Sequence, residues 1–371
     1  MHRSHNLPII VAGSGRSGTT WIGNTLAAAA GAFSIFEPLA PWGVAPPVHG
    51  DALPGSPGTY LHPEGDFPEW AKLWSDIFSG KATNSWTRQD WRYVPRQLAR
   101  WKPAEKLAYR LVGLRHPIQV RCARRPLVKA IYTNLMLPWL ARTHPVRVVY
   151  VIRHPCAVVG SRLRLGWPHS LDNLFAQSHL MRDYLEPHET AIRNATTPAE
   201  RTAVLWCVEN LVPLRNWCPK WTLACYEHLA DTPLVEFDRL VCALGLPFPS
   251  AARRVSSRLS STSGPSAGKL MPWHGALSER DGDRVLEICH QFGLDFYGRS
   301  SKPVQNPVEG VNRILAEQST WQPQRDALSP EQPFPEAKIR GDQVERDHQK
   351  IVCAVNADRY GEAAGALIGP G

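Results

Sequence analysis

The chain has 371 residues, 43% of them hydrophobic and 20% charged, a globular composition that excludes a disordered or fibrous protein and allows a large buried core. Length alone predicts one to three domains, and the absence of any apolar run of about 18 residues excludes a membrane-spanning helix. The net charge of +9 is local: between Arg88 and Arg147, fourteen Lys and Arg stand against two acids, Asp90 and Glu105. Such a stretch fits an anionic partner (a nucleotide, an acidic polymer, a membrane surface) or an ordinary solvated basic face. Residues 7–12 are too short an apolar run for a secretory signal, and the eight cysteines contain no CxxC spacing. The expectation is a reduced, cytoplasmic protein.

In chain order, residues 8–12 (PIIVA) read as a short buried strand, 18–30 as a helix and 33–36 as a second strand. Residues 38–68 carry eight prolines and several glycines and read as loop. They run into a segment with Trp70, Trp74, Trp86, Trp91 and Trp101, an insertion at about 38–105. Residues 127–131 (LVKAI) form a third strand, followed by a helix at about 135–142. Residues 147–152 (RVVYVI), β-branched and aromatic, form the clearest buried strand. Helices are expected at 155–165, 171–188, 198–216, 232–244 and 278–292, with a strand at 221–225. Beyond about 300 a proline-rich extension runs to residue 371, with a final helix expected at 342–367. Alternating strands and helices with continuous apolar strands predict an α/β fold, a central parallel sheet covered by helices on both faces. Ligands of such sheets sit at the carboxyl ends of the strands.

The sequence GSGRSGTTW, residues 13–21, follows the first strand and opens the first helix, the setting in which backbone N–H groups and a helix N-terminus cradle phosphate. Three readings are open. Gly13, Gly15 and Gly18 match the dinucleotide pattern GxGxxG, with Glu37 placed to bind a ribose, which makes an NAD(P)-dependent oxidoreductase the alternative. The same residues approach a Walker loop, but Thr19 stands where the lysine belongs and the strand 147–152 ends in Arg153, not in a magnesium-binding Asp. The third reading takes Arg16, Thr19, Thr20 and Trp21 as a set for a highly charged nucleotide bound without metal. RHPCAVVGS, residues 153–161, favours it, because Arg153 falls at the carboxyl end of the sheet and Ser161 two helical turns later on the same face. Together they can clamp a second phosphate.

These two segments resemble the phosphate-binding motifs of sulfotransferases that use 3′-phosphoadenosine 5′-phosphosulfate (PAPS), and the chain is identified by them as a suspected member. GSGRSGTTW is similar to the family's 5′-phosphosulfate loop, and VVYVIRHPCAVVGS to its 3′-phosphate motif. Tyr226 to Leu229 (YEHL) and the loop 256–274 are weaker echoes. The resemblance spans about residues 7–297 and implies a P-loop-like sulfotransferase domain over 1–299. It implies that Gly15, Arg16, Ser17, Gly18, Thr19 and Thr20 hold the 5′-phosphate and sulfuryl group. Trp21 and Tyr226 would contact the adenine, Arg153 and Ser161 the 3′-phosphate, and Lys269 would close over it. The implied reaction is in-line attack by an acceptor hydroxyl, releasing adenosine 3′,5′-bisphosphate, with no metal. Many soluble members place a histidine base shortly after a lysine on the third strand. Here Lys129 matches the lysine, but the histidine position is Ile131. That departure turns attention to Glu37, whose spacing is similar to that in tyrosylprotein and carbohydrate 6-O-sulfotransferases, as general base, with Arg16 and Lys129 as electrostatic partners. His116, His154, His169 and His274 are reserve bases.

The implied partner is a hydroxyl-bearing acceptor, anionic or carbohydrate, lipid, peptide tyrosine or small natural product, among which the sequence does not choose; no nucleic-acid partner is implied. The fit is to a soluble, bacterial enzyme. A basic, nucleotide-regulated module for acidic polymers is the non-enzymatic rival.

Overall fold

The computed structural model describes residues 7–32, 34–39, 58–79, 125–257, 275, 277–300, 309–310, 313–314 and 316. Strand β1 (Ile9–Gly13) is buried at every position, as a strand covered on both faces must be. It opens helix α1 (Thr19–Ala30), which ends at Gly31 with φ 58°, a left-handed turn that glycine adopts at no steric cost. Strand β2 (Ser34–Phe36) follows. Then come helix α2 (Pro68–Phe78), strand β3 (Leu127–Ala130), helix α3 (Leu137–Thr143) and strand β4 (Arg147–Ile152). Helices α4 (Pro155–Arg164) and α5 (Pro198–Arg215) precede strand β5 (Thr222–Cys225). Helices α6 (Tyr226–Asp231), α7 (Pro233–Ala243), α8 (Ser250–Ser257) and α9 (Glu279–Gln291) follow.

All four strand pairings are parallel and the order is β2-β3-β1-β4-β5. The register aligns Ala12 with Ala130 and Tyr150, and Ile152 with Cys225. The carboxyl ends of all five strands therefore open on one edge of the sheet, and Ser14, Glu37, Ile131, Arg153 and Tyr226 are the first residues beyond them. One face of the sheet packs Ile10, Val128, Val148 and Tyr150 against side chains of α2, α3, α4, α5 and α9; the other packs Ile9, Val11, Val149 and Val151 against α1 and α7. This is the expected α/β architecture, with a parallel sheet between two helical layers.

Local chemistry accounts for the departures from expectation. Residues 171–188 do not form one helix; they break into turns at Asp172–Phe175 and Ser178–Leu180, a wide turn at Met181–Leu185 and a tight one at Glu186–His188. Pro187 lacks the N–H that would continue the ladder, and its ring crowds the carbonyl of residue 183. The helix expected over 232–244 starts at Pro233, with α6 a separate turn before it. The Trp-rich segment contains α2, whose buried face is Trp70, Leu73, Trp74 and Ile77, spaced one and two helical turns apart. Trp70 and Trp74 are thus core; Trp86, Trp91 and Trp101 lie outside the described residues, as does the helix expected at 342–367. The start of the C-terminal extension docks on the body: Ile314 is buried in the main core and Arg313 pairs with Asp295.

Candidate functional site

Between β1 and α1 the chain makes a tight loop in which the Ser17 N–H donates to the Ser14 carbonyl at 3.0 Å. Arg16 sits at φ 76° and Gly18 at φ 88°. A left-handed arginine is costly, and three arginine contacts accompany it. Arg16 Nε donates to Ser161 Oγ (3.0 Å), Arg153 donates to the Arg16 carbonyl (2.8 Å), and Arg162 Nε donates to the Gly15 carbonyl (3.2 Å). From below, Asn134 Oδ1 accepts from the Gly13 N–H and Asn210 Nδ2 donates to Ser14 Oγ.

Neither glycine in the loop's centre has room for a side chain. A Cβ on Gly15 would lie 2.5 Å from the Trp167 ring and 3.1 Å from Ile131 Cδ1, and one on Gly18 would lie 2.5 Å from the Tyr226 ring. Tyr226 is the hub of the far side, with the Arg153 guanidinium 4.1 Å from its ring centre and Trp21 edge-on at 6.2 Å. Trp21 is buried and also edge-on to Phe237, so it belongs to the core beneath α1. Ser17 and Thr19 are buried, and Thr20 is half-buried.

Several polar atoms here are buried and without a hydrogen-bond partner: Ser17 Oγ, Arg153 Nε, Asn134 Nδ2 and Trp21 Nε1. Buried donors of this kind are costly unless something completes them. The first turns of α1 and α4, which both open on this edge, carry no acidic residue, nor do those of α3 and α8, whereas those of α2, α5, α6, α7 and α9 each carry at least one. At α4 the Glu227 carboxylate accepts the N–H of the N-cap residue His154 at 2.9 Å, whereas α1 has no acid in its first turn; that helix N-terminus, beside Arg16 and Arg153, makes an electropositive edge suited to an anion.

Glu37 follows β2 with φ 45° and is 2% exposed. One carboxylate oxygen pairs with Lys129 Nζ; the other accepts the Ile131 N–H at 3.0 Å. Its own N–H donates to the Lys129 carbonyl at 2.8 Å. Lys129 is buried, 4.5 Å from the centre of the Phe36 ring. Ile131 therefore links the two halves of the site, its side chain occupying the space beside Gly15 that a Cβ would need and its backbone N–H donating to Glu37. Next to it, burial and the Glu37 charge raise the Tyr132 phenol well above its ordinary range.

Among the histidines, His154 caps α4 through Nδ1 and holds the Gly298 carbonyl with Nε2. Burial lowers its pKa, against that hydrogen bond and the charge of Glu227. Its ring is occupied by structure. His116, His274 and Lys269 lie outside the described residues. No group of three or more His, Cys, Asp or Glu among the described residues is arranged to hold a metal.

Sequence reading passed over Arg162, Trp167, Glu209, Asn210 and Asn134, which shape the loop. A signal for one of them was present in SRLRLGW, residues 161–167. Gly166 (φ 65°) ends α4 with its N–H on the Leu163 carbonyl and the Trp167 N–H on the Arg162 carbonyl. This C-terminal motif turns the chain back and delivers Trp167 to Gly15.

Neither a protein-family profile nor a curated protein sequence matches the chain. Among solved structures it is similar to the sulfotransferase domain from the curacin biosynthetic pathway, at 15% identity over 85% of this chain and 98% of that one, with a TM-score of 0.38. Sulfotransferase STF1 from Mycobacterium tuberculosis is matched at 16% identity over 77% of this chain and 76% of that one (TM-score 0.36). The sulfotransferase domain of a Synechococcus olefin synthase is matched at 14% identity over 87% and 99% (TM-score 0.35).

Proposed function

We propose that the chain transfers a sulfuryl group from PAPS to a hydroxyl acceptor. The observation that carries the reading is the convergence of Arg16, Arg153 and Ser161 on a glycine loop with a threonine, Thr19, in place of the Walker lysine. The donor's two anionic ends fit what is present: unpartnered buried donors on Ser17 and Arg153, and the N-terminus of α1 with no acid in its first turn. Ser17, Gly18, Thr19 and Thr20 would hold the 5′ end, with Gly15 lending backbone room. Arg153 and Ser161 would hold the 3′-phosphate, and Tyr226, stacked on Arg153, would face the adenine. Trp21 supports Tyr226 from the core, and Lys269 is proposed to close over the 3′-phosphate.

The bound donor supplies the sulfuryl group and leaves as adenosine 3′,5′-bisphosphate. The chain's own work is positioning and charge stabilisation. Glu37 accepts the acceptor's hydroxyl proton on a carboxylate oxygen as the new S–O bond forms, while Lys129 holds the carboxylate in place before that step and Arg16 offsets the charge at the transferred group. Both oxygens of Glu37 are engaged by Lys129 and Ile131, each keeping a second lone pair for the proton; the oxidoreductase alternative gives Arg153 and Ser161 no role. A one-domain enzyme over 1–299, soluble and cytoplasmic, remains the proposed setting.

The test is calorimetric titration with adenosine 3′,5′-bisphosphate in the absence of metal, beside NADH and Mg-ATP. Binding of the bisphosphate alone supports the reading; binding of NADH alone overturns it.

A further inference from the structure

Arg162 is 4% exposed, and a guanidinium so buried needs acceptors for its charge and its N–H groups. Its two terminal nitrogens meet the two oxygens of Glu209 at 3.1 and 2.6 Å. That fork leaves Nε aimed at the Gly15 carbonyl, 3.2 Å away. The Trp167 ring lies over the guanidinium at 5.4 Å and packs on Gly15 from the same side.

Glu209 is itself fixed by its helix. Pro213, one turn later inside α5, has no N–H to donate to the Glu209 carbonyl. The Tyr150 hydroxyl takes that place at 2.9 Å and reaches Asn210 Oδ1 at 3.0 Å. Asn210 in turn donates to Ser14 Oγ. Two consecutive residues of α5 thus govern two consecutive residues of the loop.

There are no cis peptides among the described residues, so the Arg16 N–H points opposite to the Gly15 carbonyl across one planar unit. Whatever holds that carbonyl sets the direction of that N–H. We propose that Glu209 is a positioning residue of this site: through Arg162 it fixes the Gly15–Arg16 peptide in the orientation that receives the donor's 5′ end. The inference rests on the sulfotransferase reading above. Glu209 touches no reacting atom in it; its charge locks Arg162, and Arg162 locks the loop.

The test is calorimetric titration of adenosine 3′,5′-bisphosphate into the wild type, Glu209→Gln, Glu209→Asp and the double variant Arg162→Met/Glu209→Leu, each with a thermal melt. Glu209→Gln is expected to bind about tenfold more weakly, as a charge-assisted bond becomes a neutral one. Glu209→Asp, which keeps the charge, is expected to lie nearer the wild type. An apolar pair of similar volume replaces a buried ion pair at little or no loss of stability. The double variant is therefore expected to melt near the wild type and still bind weakly, because the Gly15 carbonyl has lost its donor. Should Glu209→Gln fail to fold, the double variant alone decides. Wild-type affinity in Glu209→Gln, or in the double variant, would overturn the proposal. Failure of the wild type itself to bind the bisphosphate would overturn the functional reading, and this inference with it.

Discussion

Arg153 spans 137 positions of sequence to donate a hydrogen bond to the backbone carbonyl of Arg16 at 2.8 Å. One side chain therefore joins the end of β4 to the loop after β1 while its Nε, buried and unpartnered, remains for a ligand. Replacing it removes a loop restraint and, in the proposed reading, a hydrogen-bond donor to the 3′-phosphate. Arg153→Ala is expected to weaken bisphosphate binding by about 2–4 kcal/mol, roughly 30- to 700-fold, in a calorimetric titration. An affinity within threefold of the wild type would remove Arg153 from the site.

Glu37 and Lys129 make a second, separable prediction. Glu37→Gln keeps the shape and the bond to the Ile131 N–H but cannot take a proton. Transfer to an acceptor should fall by about 10²–10⁴ in kcat, while bisphosphate affinity changes little. Loss of nucleotide binding instead of turnover would make Glu37 a scaffold for β2.

The two crowded glycines should respond differently to the same added methyl group. At Gly15 the obstacle is the Trp167 ring, so Gly15→Ala should cost about 1–3 kcal/mol and Trp167→Leu should restore much of it. At Gly18 the Tyr226 ring is an obstacle too, but φ 88° adds backbone strain. Tyr226→Leu should therefore not rescue Gly18→Ala. Paired thermal melts decide this, and equal rescue at both positions would refute the distinction.

His188 gives a pH dependence remote from the site. It stacks on Phe292, with Nδ1 on the Gln291 carbonyl. Burial, with a smaller contribution from Arg215, lowers its pKa to about 4 against the opposing carbonyl bond. The unfolded chain takes the proton first as pH falls, so stability declines from about pH 6.5 down to about 4. The slope approaches 1.4 kcal/mol per pH unit. Denaturant melts of His188→Gln should be flatter across that window; an unchanged slope would assign it to other groups.

The sheet was legible because PIIVA and RVVYVI are too apolar and too β-branched to be anything but strands buried on both faces, and the loop because glycines follow one of them directly. Arg153 and Ser161 were legible by spacing from the second. Glu209 and Asn210 were not. Their contribution depends on Pro213 freeing a carbonyl and on Tyr150, 60 residues from Asn210, arriving to occupy it. No local pattern carries such a partnership. The broken turns at 172–188 were missed because the single proline at 187 was weighed less than the apolar spacing around it.

The Tyr150 hydroxyl on the Glu209 carbonyl also has a kinetic meaning. A central strand and the last turns of a long helix share one bond that neither makes with its own element, so neither can open alone without exposing a buried polar group. Amide protons of β4 and of the C-terminal half of α5 should accordingly exchange with solvent as one cooperative unit, and Tyr150→Phe should let the helix end exchange ahead of the strand.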